Sequence, residues 1–409
     1  MKKNLYNSLV IQLLCVVLVL CSYSQAKADN VTELQQRLDA IISAANCQVS
    51  VQVISASNND MIYSYNPDAK LIPASVTKLV TAAIALKYLG TDFKFKTILY
   101  TDDQNIKDGV INGNLYLKGY GDPDLNSSDI IYLAKQLKEK NITSITGNII
   151  YDQSYLDDDY YSRSQSNDTD LRYWPYVSAL NLDKNYGGYD PAYTAADLLA
   201  ADITSMGINF TGSISAGTTP TGEVKEITEV SHSMMDVLAY MNKTSNNHSA
   251  ITVFKVVGAS KYGPPGTLEK GTRAVEEFLT SIGCGLDDFQ VLEGSGLTRY
   301  NFMTAGMVMK MLKHMYEDVN NFDYFYNSLA ISGVDGTIRS RMIGTEAEKN
   351  VHAKTGTLNS VTALAGYAIT RDLELLMFYI SMNGFGGNAS YYRGLQDDIC
   401  EVLCQFSRN

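Results

Sequence analysis

Positive charge is scarce in this chain: 33 Lys and Arg stand against 44 Asp and Glu, a formal charge of −11. Such a balance argues against nucleic acid as a partner and offers nothing to anionic lipid. Cysteine and histidine are few, six and four, and no grouping of them has the spacing of a zinc site, so no metal is expected. No period of about 20–50 residues recurs, which excludes a repeat array. With 45% hydrophobic and 19% charged residues, the chain reads as globular rather than disordered, and it is long enough for two or more domains.

The first 28 residues read as a removable export signal. Lys2 and Lys3 form the basic start, "LVIQLLCVVLVL" the apolar core, and "AKA" before Asp29 the small-residue cleavage site. The apolar run is short for a spanning helix, so no stable membrane anchor is expected. A lipid on Cys21 is the alternative, disfavoured by the bulk of Leu20 before it. Cleavage removes three lysines and no acids, taking the charge from −11 to −14. Export permits disulfides among Cys47, Cys284, Cys400 and Cys404. Cys400 and Cys404 are awkward partners for each other, one helical turn apart; a link from Cys47 to one of them stays open.

Along the chain, a short helix is expected at about 31–45, then two strands joined by a polar turn at Asn58-Asn59-Asp60. A helix capped near Ser75 and running to about Tyr88 follows. From 96 to 233 the character changes to β-like runs, Gly and Asn turns, and a polar segment, "DDDYYSRSQSNDTD" at 157–170, expected to be a mobile loop. Helical patterns resume at about 233–243 and 266–282. The stretch "VHAKTGTLNSVTALAGYAITRDLELLMFYIS" reads as consecutive antiparallel strands, and "ASYYRGLQDDICEVLCQF" as a closing helix. Strands at both ends with helices between them predict one α/β domain, 29–95 and 234–409, interrupted by an inserted domain at 96–233.

One residue in "IPASVTKLVTAAIAL" (72–86) is out of place. The run is apolar on every helical face, as in a helix buried all round, yet it carries Lys78 one turn after Ser75. A buried, unpaired ammonium is costly. A serine hydroxyl, however, is a weak nucleophile that needs an adjacent base, and Ser75 and Lys78 are spaced to share a helix face. Ordinary lysine has a pKa of about 10.4, leaving roughly one molecule in 2,500 neutral at pH 7; burial and a second cation both lower it.

The pair alone is weak evidence, since Ser24 and Lys27 in the export signal match it too. Two further elements follow in order. "NKTSNNHSA" holds Ser245 and Asn247 as S-x-N, and "HAKTGTLNS" holds Lys354-Thr355-Gly356-Thr357, the one K-T-G in the chain. Together they form the S-x-x-K, S-x-N, K-T-G set of serine penicillin-recognising enzymes. In that chemistry Lys354 supplies positive charge for a substrate carboxylate and helps depress the pKa of Lys78. Gly356 lets the strand approach the substrate, Ser245 passes a proton towards the leaving amine, and Asn247 binds a peptide carbonyl. The N–H groups of Ser75 and Thr357 are the expected oxyanion donors.

Beyond these motifs the chain resembles the D-alanyl-D-alanine carboxypeptidase/endopeptidase family of class C penicillin-binding proteins, the penicillin-binding-protein-four type. The stretches that carry the resemblance are "PASVTKL", "GNLYLKGYGDPDL", "MNKTSNN", "EGSGLTRYNFMTA", "SGVDGTIRSRM" and "AKTGTLNSVTALAGY", spread over most of the chain. The resemblance implies a transpeptidase/β-lactamase-like α/β domain, an antiparallel sheet flanked by helices, interrupted by an inserted mixed α/β domain. The 167 residues from Lys78 to Ser245 fit such an insertion, though not one of two full domains. It implies an exported, periplasmic serine DD-peptidase acting on peptidoglycan peptides, inhibited by β-lactams and needing no cofactor. Asn246 stands where the family usually has Asp, at the permissive middle of S-x-N, where a modest effect is expected. Asp152 in "GNIIYDQSYLD" matches a family position that can approach the catalytic lysine, an accessory role.

Other candidates weigh less. Ser295 in "EGSGL" does not satisfy G-x-S-x-G and reads as a tight turn beside the site. His352 reads as a packed or exposed strand residue. A β-lactamase is the nearest alternative enzyme, but the E-x-x-x-N match at Glu317 to Asn321 reads as the end of an amphipathic helix rather than as its loop. An inactive wall-binding protein is the other alternative, and the intact Ser75, Lys78, Ser245, Asn247 and Lys354 argue against it.

Overall fold

A computed structural model describes residues 30–161, 174–186 and 190–408. A helix at 30–43 (α1) precedes β1 (Gln48–Ser55) and β2 (Met61–Tyr65), and a 3-10 turn at Ala74–Val76 runs straight into α2 (Thr77–Leu89). The middle of the chain holds β3 (Lys94–Thr101), β4 (Val110–Ile111), β5 (Leu115–Gly119), α3 (Ser127–Glu139), β6 (Ser144–Ile145) and β7 (Ile149–Asp152). It continues through α4 (Pro191–Ser205), β8 (Asn209–Phe210), β9 (Ile214–Ala216) and β10 (Lys225–Ser233). After it come α5 (Met234–Lys243), α6 (Asn247–Tyr262), α7 (Leu268–Ser281), β11 (Phe289–Gln290), β12 (Phe302–Met303), α8 (Ala305–Glu317) and α9 (Phe322–Ser328). The chain closes with β13 (Ala330–Ile331), β14 (Val351–Leu358), β15 (Val361–Ile369), β16 (Leu375–Asn383) and α10 (Ala389–Gln405).

The two ends of the chain share one six-stranded antiparallel sheet, ordered β13-β14-β15-β16-β1-β2. β1 lies against β16 over its whole length, from Gln48 opposite Asn383 to Ser55 opposite Leu376. Both faces of the sheet are covered, which is why β15 is buried from Val361 to Ala368 and reads as an unbroken apolar run. Leu364, Phe378 and Ile380 pack with Leu34, Leu38, Ile399 and Leu403 of α1 and α10. Ala363, Ala365, Tyr367 and Tyr379 pack on the other face with α2 and the helices around it. α2 is thus enclosed, and every residue from Thr77 to Leu86 is buried, Lys78 included.

Strands from 94–233 form separate sheets. One is ordered β10-β3-β5-β7-β9, with β5, β7 and β9 parallel. Parallel neighbours need crossovers, supplied by α3 and α4, and a small parallel sheet β4-β6-β8 lies alongside. A third apolar core, drawn from Leu99 to Val230, holds this stretch together. Its helices lie among the β-like runs of the sequence but carry their own start signals. Asn126 and Asp129 make a capping box for α3, and Asp190 caps α4 ahead of Pro191.

Some expectations change. Ser75 caps nothing: it sits in the 3-10 turn, and α2 opens at Val76 without a side-chain cap. The four cysteines are free. Residues 1–28, with the export signal and Cys21, lie outside the described residues, as do 162–170 of the polar segment. The described start of that segment is anchored: Lys255 of α6, fully buried, donates to Asp157 Oδ1 at 2.6 Å and to Asp159 O at 2.9 Å.

This pair carries a stability prediction. Asp157→Ala strands a buried ammonium and is expected to cost about 3 kcal/mol in urea unfolding. Lys255→Met keeps the apolar stem and frees Asp157, which is partly exposed, to solvate. It is expected to cost clearly less, and the reverse order would show that the pair is not what holds 157–159.

Candidate active site

Ser75 and Lys78 meet because a 3-10 turn feeds directly into a buried helix. The Lys78 ammonium has three hydrogen-bond partners: Ser75 Oγ at 2.9 Å, Asn247 Oδ1 at 2.8 Å and the Ser295 carbonyl at 2.7 Å. An ammonium has three donors, so the set is complete. A neutral amine keeps two N–H groups and gains a lone pair. Asn247 Oδ1 and Ser295 O can only accept, so the lone pair can face only Ser75, the one partner with a proton to give. Burial lowers the Lys78 pKa to about 7, with Glu293 pulling the other way. The geometry therefore aims the lone pair of a neutral Lys78 at Ser75 near neutral pH.

Ser295 reaches Lys78 through a turn built around Glu293. The fully buried Glu293 carboxylate accepts from Ser295 N at 2.6 Å, Ser295 Oγ at 2.5 Å and Thr298 N at 3.3 Å. Burial raises its pKa, and those hydrogen bonds oppose the rise. Thr81 of α2 donates to Gly294 O at 2.7 Å, fixing the turn to the helix. Gly296 has φ +76° and lies so near the nucleophile segment that a Cβ there would be 1.9 Å from Ala74 O. The tight turn expected at Ser295 is here; the role of Glu293 was not anticipated. Its signal is an acid directly before G-S-G, in a stretch that must lie against α2.

K-T-G enters from β14. A Cβ on Gly356 would be 2.3 Å from Pro73 O and 3.3 Å from Ser75 N, so only glycine lets the strand lie against the nucleophile turn. The edge of β14 is the other feature. Ser332 N donates to Val351 O at 3.0 Å, so the Val351 backbone faces β13. By strand alternation the backbones of Ala353, Thr355 and Thr357 face the same way. β13 pairs only with His352 and Ala353, and the edge beyond is open. Thr355 O accepts from Lys354 Nζ at 2.9 Å, and the Thr357 N–H on the same edge has no hydrogen-bond partner among the described residues. Lys354 is fully buried, and burial, then the charge of Lys78, holds its pKa well below the lysine range. The repulsion expected between the two lysines thus falls on Lys354.

S-x-N occupies the turn between α5 and α6, and its residues divide the work. Ser245 takes a left-handed conformation, φ +58°, and its hydroxyl has no hydrogen-bond partner among the described residues. Asn246 caps α6, accepting from Ser249 N at 2.8 Å. Asn caps as well as Asp does, which accounts for the departure from the family pattern. Asn247, the first residue of α6, turns its carbonyl oxygen to Lys78.

Asp152 stands apart. Its carboxylate accepts from Ser154 N at 2.9 Å and Thr219 N at 2.8 Å and pairs with Lys118 at 3.1 Å, all within 118–219. These hydrogen bonds outweigh burial and lower its pKa. His352 stacks on Tyr326 at 4.1 Å, a packed strand residue. Glu317 pairs with Lys313 on α8 at 2.5 Å.

Ser75, Lys78 and the edge of β14 thus meet at one place. The chain belongs to the D-Ala-D-Ala carboxypeptidase 3 (S13) family, whose model matches residues 34–189 and 187–402. It is 26% identical to a D-alanyl-D-alanine carboxypeptidase of Actinomadura sp., over 94% of this chain and 87% of that one. The fold matches penicillin-binding protein 4 of Haemophilus influenzae with a TM-score of 0.76 at 24% identity, covering 91% of this chain and 98% of the other. A penicillin G-acylated predatory endopeptidase of Bdellovibrio bacteriovorus matches more distantly, with a TM-score of 0.57 at 18% identity over 88% and 94%.

Gly356→Ala tests the close approach of β14. The added methyl has to push the strand off the nucleophile turn, and a shift of about 1 Å is expected to slow acylation of Ser75 by fluorescent penicillin about a hundredfold. Undiminished labelling would show that the strand does not set the site.

Proposed function

We propose that this chain is an exported serine DD-peptidase that cleaves the D-Ala–D-Ala bond of peptidoglycan stem peptides through an acyl-enzyme on Ser75. The observation that carries this reading is the three-way contact of Lys78, in which only Ser75 can yield a proton. Family membership and the carboxypeptidase relatives support the substrate class.

Lys78, neutral, takes the Ser75 proton as Oγ attacks the carbonyl. The N–H groups of Ser75 and Thr357 stabilise the oxyanion. Ser245, whose hydroxyl is uncommitted, relays the proton to the departing D-alanine amine. Asn247 Nδ2, left free by the contact through Oδ1, holds a peptide carbonyl, while Lys354, Thr355 and Gly356 line the substrate strand. Water then repeats the sequence on the ester. Where the leaving amine belongs to a cross-linking residue, the same steps make an endopeptidase. A β-lactam acylates Ser75 and departs slowly.

We take 96–233 as an inserted domain, and Asp152, its carboxylate bound by Ser154, Thr219 and Lys118, as an accessory residue of that domain rather than of the Lys78 cluster. The supports for the domain are the separate sheets and core of that stretch. The periplasmic location rests on the signal-like residues 1–28. Among the described residues no helix is long and apolar enough to cross a membrane. A β-lactamase role finds no support at Glu317, whose carboxylate is held by Lys313.

The test is digestion of purified muropeptides, monomers and cross-linked dimers separately, alongside fluorescent penicillin labelling. Release of D-alanine with labelling lost in Ser75→Ala is expected; rapid turnover of a chromogenic β-lactam would sink the reading. Lys78→Ala is expected to fold normally and to lose acylation by about 10²–10⁴-fold, so full labelling by it would refute the base. In the free enzyme, acylation is expected to rise with pH through about 7, as Lys78 loses its proton. Glu293→Gln removes the negative charge that favours the ammonium, so its acid limb should move to lower pH. An upward shift would contradict that assignment.

A further inference from the structure

Helix α2 starts beside Ser75 and carries Lys87 in its last turn. Its 13 residues separate the two ends by about 20 Å. At the far end a groove of about 780 Å³ opens between β1 and β2 on one side and α8 with the end of α7 on the other. Strand alternation turns Gln52 and Ile54 of β1 to the same face, and Met61 of β2 is the strand partner of Ile54. With Ile282 and Met309 opposite, the walls are apolar apart from the Gln52 amide.

The groove is cationic in a chain of net charge −11. Lys87, Lys310 and Lys313 line it against one carboxylate, Glu317. Lys313 is held by Glu317 at 2.5 Å. Lys310 gives one donor to Gly283 O at 2.7 Å and keeps two. Lys87 is exposed and has no hydrogen-bond or ion-pair partner among the described residues. The amide is the second anomaly. Gln52 is 6% exposed, its Nε2 reaches only the Met61 sulfur at 3.6 Å, and its Oε1 is buried without a partner. A buried acceptor left idle is costly and uncommon in proteins. The side chain against it, Met61, is half exposed and of a flexible type, so a ligand gains the amide by displacing one methionine.

These groups call for one kind of ligand. Free ammonium groups on Lys87 and Lys310 match carboxylates, the idle amide oxygen matches an N–H, and the apolar walls match methyl groups. A carboxylate-bearing peptide supplies all three, and the acid excess over the rest of the chain disfavours it elsewhere. We propose that the groove is a second, non-catalytic site that binds a stem peptide of the same peptidoglycan. This rests on the DD-peptidase reading above, in which the substrate is a polymer of peptides with free carboxylates, amide N–H groups and alanine methyls. The length of α2 keeps a peptide bound here away from Ser75. It tethers the enzyme while the catalytic site works on a neighbouring peptide, and two linked sites raise the overall affinity without strengthening either.

The test uses wild-type protein acylated by benzylpenicillin, which closes the catalytic site, and a fluorescent stem tetrapeptide already lacking its terminal D-alanine. Saturable binding of the tetrapeptide is expected. Lys87→Glu combined with Lys310→Glu should weaken it about tenfold and loosen retention on purified peptidoglycan, with kcat/KM on a short N-acylated D-alanyl-D-alanine unchanged. Gln52→Leu removes the idle amide, so it should raise the urea midpoint and yet weaken tetrapeptide binding. If the double variant does not fold, Lys87→Glu alone takes its place with the same direction of change. No binding to the acylated protein, or binding unchanged in the folded variants, overturns the second site and leaves the DD-peptidase reading intact. Equal affinity for an unrelated glutamate-rich peptide overturns the choice of a stem peptide. Wild type that neither releases D-alanine nor takes penicillin overturns the DD-peptidase reading, and this site with it.

Discussion

The site depends on one condition: the amine of Lys78 must be dry. In water its lone pair would be available in a tiny fraction of molecules. Enclosed by α2's neighbours and the central sheet, it is lowered to about 7. The enclosure also limits what the amine can touch. Two of its three partners only accept, so losing a proton forces the lone pair towards the third. Burial therefore sets both the pKa of the amine and the direction of its lone pair.

That condition has structural costs, and they are concentrated around the nucleophile. Two ammonium groups, Lys78 and Lys354, are buried with one buried carboxylate, Glu293. Glu293 touches neither lysine directly; it offsets their charge while its hydrogen bonds shape the turn that presents the Ser295 carbonyl. Ala74 and Ser245 are left-handed, at φ +47° and +58°, each costing about 1–3 kcal/mol. Gly296 and Gly356 let two separate segments press on residues 73–75. Large apolar cores on both faces of the sheet hold these features together.

Much of this was legible in the sequence because the requirements are local. Lys78 stands out in an all-apolar helix; K-T-G needs its glycine where a strand crosses a turn; apolar runs of strand length mark β15 and β16. What was not legible is tertiary. The E-G-S-G stretch signals a turn, but only the fold brings its carbonyl to Lys78. Ser75 looks like a helix cap until the preceding 3-10 turn places its hydroxyl within reach of the amine. Helix α6 is hidden because its buried charge, Lys255, is paired with Asp157, almost a hundred residues earlier.

The turn at 245–248 shows how the middle of the chain bears on the chemistry. Asn246 caps α6 and donates to the Tyr186 hydroxyl at 3.2 Å. His248 is buried, and its Nε2 lies 3.0 Å from Asn181 Oδ1 and 3.2 Å from Asn185 Nδ2. Asn181 in turn donates to Asp122 O at 3.1 Å. Burial and the charge of Lys184 lower the His248 pKa to about 3, so the imidazole stays neutral where Lys78 titrates. Ser245 and Asn247 are thus clamped from the side away from Lys78, by residues of 122–186, through contacts that do not change charge in the working range. Lys78 can lose its proton near pH 7 without loosening the turn that shares its hydrogen bonds.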